Sequence, residues 1–497
     1  MPRSGATHRF PRRGARRLRD EIVVGLVAGV GAPLETVQSL LRSVLEELGY
    51  EIELIRLSRL TEYFDLPTPP APASAKEARR IDTSMTRGNE AREATGRDDI
   101  LALVSIAGIR ARRGPGRTQL KGQAFVLRQL KHPAEVSLLR LVYGDGFHMV
   151  GVYARKAQRQ SLLRKAGVSS RDVVRLIERD EHEDSRSGQQ LRDTFHLADF
   201  FVDASATRDR VRAEIQRYFG LVFARSIHGP TRDEFGMFQA HASALRSAQL
   251  GRQVGASILD RRADLLAVGT NEVAQCGGGS YWEGDEPDAR DHARGRDSSD
   301  EMRAKIAGEV AVRLTPEWER MGAESRLARE REVQVALKST IVSGLTEFGR
   351  AVHAEADALL AAARVGVSVS DCTLYCTTFP CHVCAKHIIA AGIARLVFVE
   401  PYPKSKALDL FSDSISIEAE RRGRVLFEPF VGIAPRRFGD LFSMRTRDGE
   451  LLVRKDASGF VGGESQRVRL EMPYWSALDR EGWAADDLRK AITKGGS

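Results

Sequence analysis

Cysteine is scarce in this chain: there are five in 497 residues, and four of them fall between positions 372 and 384. They are too few and too clustered for a disulfide framework, and they point to metal or thiol chemistry in a reducing compartment. Long apolar runs are missing too. Ile22–Val30 is well short of the ~20 residues that span a bilayer, and Asp20-Glu21 directly before it does not suit a signal peptide. The expectation is a cytoplasmic protein with no membrane partner. A basic body is also absent. Of the net charge of +9, residues 1–20 supply most, with seven arginines against Asp20. They read as a basic, disordered tail, with weak nucleic-acid contact as the alternative. The C-terminal half lacks the dense basic and aromatic surface expected for binding single strands.

Two phosphate motifs are missing from a place that invites them. Glu21–Ala28 is an apolar, β-branched strand running into Gly29-Val30-Gly31. Leu34, Val37, Leu40, Leu41, Val44, Leu45 and Leu48 then keep helical spacing, and Glu51–Leu57 alternates as a second strand. This is a βαβ unit, whose turn commonly cradles phosphate at the helix N-terminus. A Walker A loop needs a lysine that does not follow these glycines, and Leu34 stands where a dinucleotide motif has its third glycine. Nucleotide binding at Gly29 and Gly31 and a purely structural turn both stay open. Gln123–Leu130 and Ser137–Tyr143 read as strands or short helices, and Arg208–Phe223 as the helix closing the front half.

The second half starts near Gly229-Pro230. Thr231–Leu250 reads as a helix, Gln253–Leu259 and Leu265–Gly269 as a hairpin, and about 283–346 as a charge-dense helical insertion. The chemistry lies in two short pieces, His353-Ala354-Glu355 and Pro380-Cys381-His382-Val383-Cys384, with 24 residues between Glu355 and Pro380. One imidazole and two thiolates are three ligands for a catalytic Zn²⁺, which leaves its fourth position to water. Glu355 is not a ligand and is placed to move protons. The joint pattern is that of zinc deaminases acting on nucleobases. Both pieces open helices, where the N-terminal partial charge favours thiolate. Cys372 and Cys376, on one strand, are too far apart for one zinc and read as core fillers, as does Cys276; His382 and His387 read as packed or solvated.

A wider set of residues carries a resemblance. Arg246-Ser247, Arg252 to Ala256, Gly269-Thr270-Asn271-Glu272, Gly277–Gly279 with Tyr281-Trp282, Arg350 to Glu355, Thr378 to Cys381 and Glu400 to Ser405 look like the deoxycytidylate deaminase family. The whole arrangement resembles bacterial anti-phage dCTP deaminases, in which a P-loop kinase-like domain precedes the deaminase domain. Gly88-Asn89-Glu90 with Arg92, Leu130-Lys131-His132-Pro133, Tyr143 to Phe147 and Arg179-Asp180 extend the match into the front half.

The resemblance implies an α/β protein: a P-loop NTPase-like α/β domain, then a cytidine-deaminase-like three-layer α/β/α domain. The expected divisions are a tail at 1–20, a kinase-like domain with a degenerate Walker A loop at 21–225, a deaminase domain at 226–440 and a C-terminal extension at 441–497. It implies hydrolytic deamination of dCTP, and also dCMP, in phage defence by nucleotide depletion. His353, Cys381 and Cys384 would hold zinc and Glu355 would shuttle protons. Asn271 would bond the sugar or simply close a strand. Arg246, Arg252, Lys404 and Ser405 would meet phosphates or form surface ion pairs, and Trp282 and Phe379 would meet the base or pack in the core. A second nucleotide at the P-loop-like domain, a regulatory small RNA and a homo-oligomer are the expected partners. A housekeeping dCMP deaminase, a polynucleotide cytidine deaminase and an inert nucleotide-sensing scaffold are the competing readings.

Overall fold

The computed structural model describes residues 20–495, apart from 65–75, 115–119, 182, 184–186, 226, 339, 341, 343–347, 403–404, 418–421, 448, 450, 456–457, 459–468 and 471. The expected tail, the Pro/Ala-rich loop at 66–75 and Lys404 lie outside the described residues, except for Asp20. Two compact units emerge. The first takes in the described residues up to Ala198, Val202–Phe223 and those from Gln466 onward; the second takes in Asp199–Phe201 and Ala224–Ser465. Among the described residues no helix is long and apolar enough to cross a membrane.

In the first unit, β1 (Ile22–Ala28) is buried at all seven positions, as suits a parallel strand covered on both faces. α1 (Leu34–Glu47) buries Leu34, Val37, Leu40, Leu41, Val44 and Leu45, the face marked by its spacing. β2 (Glu51–Arg56), α2 (Lys76–Thr95), α3 (Ile100–Arg112) and β3 (Gln123–Arg128) follow. Ser137–Tyr143 belongs to a helix, α4 (Pro133–Tyr143), started by Pro133 and by a capping box between His132 and Glu135. After β4 (Phe147–Tyr153) come α5 (Lys156–Lys165), α6 (Ser170–Glu181) and α7 (Arg208–Val222). Four neighbouring strands of its six-stranded sheet lie in the order β4-β1-β3-β2, and their pairings with one another are parallel. The terminal residues are part of this unit. Helix Tyr474–Gly495 packs on α2, α3 and α4, and its buried Glu481 pairs with Arg113, which also holds Glu21.

In the second unit α8 (Arg232–Ala244) begins with a capping box between Thr231 and Glu234. The expected helix to Leu250 stops at Ala244. Ser247 Oγ donates to the Asn271 carbonyl and Glu272 accepts from the Ala248 amide, so residues 245–254 become a pinned loop instead of two further turns. β5 (Gly255–Leu259) and β6 (Leu265–Thr270) form the antiparallel hairpin, and β7 (Glu272–Val273) follows. The charge-dense stretch folds as α9 (Ser298–Leu314) and α10 (Ala323–Lys338), which meet through Ala307, Ala311 and Val333. Then come β8 (Ala351–Val352), α11 (Ala354–Arg364), β9 (Thr373–Thr378), α12 (His382–Ala390), β10 (Arg395–Glu400), β11 (Ile415–Ser416) and β12 (Val425–Pro429).

The sheet order is β11-β12-β10-β9-β5-β6, with a parallel half and an antiparallel edge. Glycines set where its helices lie. A Cβ on Gly255 would stand 2.0 Å from the Ala240 carbonyl of α8, and one on Gly269 would stand 2.1 Å from the Ala354 carbonyl of α11. Gly255 opposes Thr270 while Gly269 opposes Ala256, so the two glycines face opposite sides of the sheet. Helices therefore cover both faces, a three-layer α/β/α arrangement. Cys372 and Cys376 are buried as expected. Cys276 is exposed, because Gln275 and Gly279 close a tight turn at Gly277–Gly279 that carries it outward.

Candidate metal centre

Two helix starts bring the motif together. His353 is the N-cap of α11 and Cys381 the N-cap of α12, where its sulfur accepts the Cys384 amide at 3.4 Å. Gly269 lets α11 lie flat on β6, and Asp357 accepts the Thr270 amide at 3.0 Å to lock that contact. His353 Nδ1 is 3.3 Å from Cys381 Sγ and 3.4 Å from Cys384 Sγ. All three ligand atoms lie within 4.8 Å of one another. Atoms bound tetrahedrally to zinc at ~2.0 and ~2.3 Å are roughly 3.5 Å apart, so the set fits Zn²⁺.

The electrostatics suit a metal and a proton carrier. The Cys381 thiol is held far below its usual range by the Cys384 hydrogen bond and by His353, whereas Cys384 is pushed up by Cys381 and by burial. His353 is raised, chiefly by its bond to Cys381. Glu355 is buried, and that burial lifts its carboxyl above the ordinary value against the pull of His353. A buried, perturbed carboxyl beside a metal set marks a site of chemistry.

The remaining candidates are placed unevenly. Asn271 Oδ1 accepts from the Val254 amide at 2.7 Å and its Nδ2 donates to the Arg252 carbonyl at 2.9 Å, which leaves one N–H to spare. Arg246 donates to the carbonyls of Ser280 and Tyr281, and its guanidinium lies 3.6 Å from the ring centre of the exposed Trp282. Arg252 lies 5.6 Å from the ring centre of Tyr402. Ser405 Oγ donates to the Pro380 carbonyl at 2.7 Å, tying the turn after β10 to the start of the cysteine helix. Phe379 packs edge-on against Phe398 and Phe427 in the core. His382 is half-buried and His387 exposed.

In the first unit, Gly29 lies against the Arg159 guanidinium, and Gly31 has a positive φ of 81°. Between them the Val30 amide donates to the buried Asp180 at 2.7 Å, and Asp180 also receives Lys131 at 2.6 Å. A carboxylate of the protein itself therefore takes one amide of the turn.

Sequence reasoning gave no role to Asp357, which is legible only as a first-turn acid.

Residues 230–400 match the family described as the cytidine and deoxycytidylate deaminase zinc-binding region. The chain is 49% identical to the deoxycytidylate deaminase of Enterobacteria phage T2 over 55 residues, 11% of this chain and 29% of that protein. It is 32% identical to the deoxycytidylate deaminase of Mus musculus over 98 residues, 20% of this chain and 47% of that protein. The chain thus spans less than half the length of these relatives. A solved dCMP deaminase of cyanophage S-TIM5, in complex with dCMP and dUMP, is 18% identical with a TM-score of 0.23, covering 41% of this chain and 100% of that one.

Proposed function

We propose that this protein performs zinc-dependent hydrolytic deamination of deoxycytidine nucleotides, dCTP and also dCMP, giving deoxyuridine nucleotides and ammonia. The observation that carries the reading is the buried Glu355 beside His353, Cys381 and Cys384 at two helix starts. Zinc bound by those three residues would supply a water acidified to about pKa 7 as the nucleophile. Glu355 would relay both protons of the attacking water, the first to the ring nitrogen and the second to the departing amine, as C4 gains a C–O bond and loses its exocyclic C–N bond with release of ammonia. The spare N–H of Asn271 would serve the sugar and Arg252 a phosphate, and Arg246, whose guanidinium lies 3.6 Å from the Trp282 ring centre, would meet the nucleotide together with that ring.

The dCTP preference, the phage-defence role, the small-RNA partner and the homo-oligomer are supported by the resemblance to anti-phage deaminases. dCMP as main substrate is the second reading, favoured by the names of the relatives. In the first unit, a regulatory nucleotide is supported by β1, whose carboxyl end lies between β3 and β4 and is followed by a glycine turn and helix.

Glu355→Ala tests the mechanism. Zinc should stay at one per chain, while turnover on dCTP and dCMP falls by at least about 10²–10⁴-fold. Undiminished turnover would sink the mechanism, and the ratio of wild-type rates on the two nucleotides decides between the substrates.

A further inference from the structure

We infer that Glu272 is a positioning residue: it clamps the loop 247–254, which carries Arg252, onto the strand that runs into the metal ligand His353. This rests on the deoxycytidine-nucleotide reading above, in which Arg252 and Asn271 meet the substrate and Glu272 does not.

The Glu272 side chain is fully buried and reaches two stretches of chain at once. One oxygen accepts the Ala248 amide at 2.8 Å. The other accepts the Gln249 side chain at 3.1 Å and the Val273 amide at 2.8 Å. Among the described residues its partners are these three N–H groups, with no ion pair. A carboxylate accepts on both oxygens, whereas an amide in its place would turn an NH2 group toward one of the donors.

Both ends of this link lead to the site. Glu272 and Val273 form β7, which pairs antiparallel with β8, so that Glu272 stands opposite Val352, the residue before His353. Two residues earlier, the Thr270 amide is held at 3.0 Å by Asp357, whose own amide donates to the His353 carbonyl at 2.8 Å. On the loop side, Ser247 Oγ donates to the Asn271 carbonyl at 2.8 Å, and the Asn271 side chain holds the Arg252 carbonyl and the Val254 amide. Just past the loop, the Gly255 amide donates to Thr377 Oγ1 at 3.2 Å, four residues before Cys381. Residues 270–273 are therefore a seam between the loop and the metal ligands, and Glu272 is its charged member.

The simpler alternative is that Glu272 only satisfies nearby amides. Its bond to Val273 is of that local kind. The bonds to Ala248 and Gln249 are not, because they cross 24 and 23 positions of sequence. They grip the loop between its fixings at Ser247 and Arg252. Among the described residues, the only other hydrogen bond at 248–251 is the one from the Gln249 amide to Ser247 Oγ at 3.3 Å.

Kinetics on dCMP and dCTP with Glu272→Gln and Gln249→Ala test the assignment, with zinc per chain measured alongside. In Glu272→Gln zinc should stay at one per chain and KM for both nucleotides should rise about tenfold, the size expected for a lost hydrogen bond to a charged group. The kcat per bound zinc should move far less. Gln249→Ala removes one donor and leaves the carboxylate, so it should shift KM the same way by less, and it decides the matter if Glu272→Gln does not fold. A Glu272 that only supports the fold would instead lower the zinc-loaded fraction at unchanged KM. That result, or no change in either variant, would overturn the assignment. Hydrogen exchange of the peptide covering 245–254 is a readout independent of catalysis. It should speed up in both variants while α11 exchanges as in wild type; exchange that is unchanged, or raised equally in α11, refutes the positioning role. If wild type deaminates neither nucleotide, the deaminase reading fails separately, and the exchange result still decides the role of Glu272.

Discussion

His353 and Cys381 are effective ligands because each caps a helix, so both side chains project from the N-terminal ends of α11 and α12 toward one point. Ligand loss should therefore be specific. Cys381→Ser and Cys384→Ser should each release zinc, read by metal analysis of purified protein, while Cys276→Ser should retain one zinc per chain because Cys276 is exposed in a glycine turn. Retained zinc in the two ligand variants would contradict the assignment. At this scale the metal set was legible from sequence, since ligand chemistry fixes both residue type and short spacing. The bond from the Thr270 amide to Asp357, which locks the ligand helix onto the sheet, was not, because it joins residues 87 apart.

At the level of elements, the site depends on how closely helices approach the sheet. Gly269 has no room for a methyl group, with Ala354 O at 2.1 Å and Ala358 N at 2.4 Å. Gly269→Ala should push α11 outward, costing ~1–3 kcal/mol by overpacking and loosening His353. Thermal melting and zinc retention under chelator both report it, and an unchanged melting temperature with full zinc retention would refute the packing account. On the opposite face Asp233 of α8 accepts Arg395 and the Tyr375 hydroxyl, joining helix to strands β9 and β10. Burial raises its pKa, but Arg395 and Tyr375 outweigh that and hold Asp233 below its ordinary value. A carboxylate lowered on folding stabilises above its unfolded pKa of ~3.9 and loses that contribution as pH falls through the folded value. The melting-temperature deficit of Asp233→Asn at neutral pH should therefore close as pH drops below ~4; a deficit that does not vary with pH would contradict this. The strands and helices were mostly visible as apolar period. The end of α8 was not, because side chains of Ser247, Asn271 and Glu272 decide it and periodicity does not register them.

At the scale of the molecule, two α/β units share one chain. The first unit lacks the Walker lysine, and Asp180 takes the Val30 amide of its glycine turn. ATP with a nucleoside monophosphate should therefore give no transferred phosphoryl group, and measurable kinase turnover would overturn that expectation. Terminal helix Tyr474–Gly495 could not be assigned from sequence because its partners, Glu21 and Arg113, are hundreds of residues away. The most direct measurement for the second unit is product analysis of purified protein with dCTP, dCMP, CTP and single-stranded DNA, with and without chelator. The account predicts ammonia and a deoxyuridine nucleotide from dCTP or dCMP, abolished by chelator and restored by zinc. Deamination confined to single-stranded DNA, or turnover indifferent to chelator in zinc-depleted protein, would contradict it.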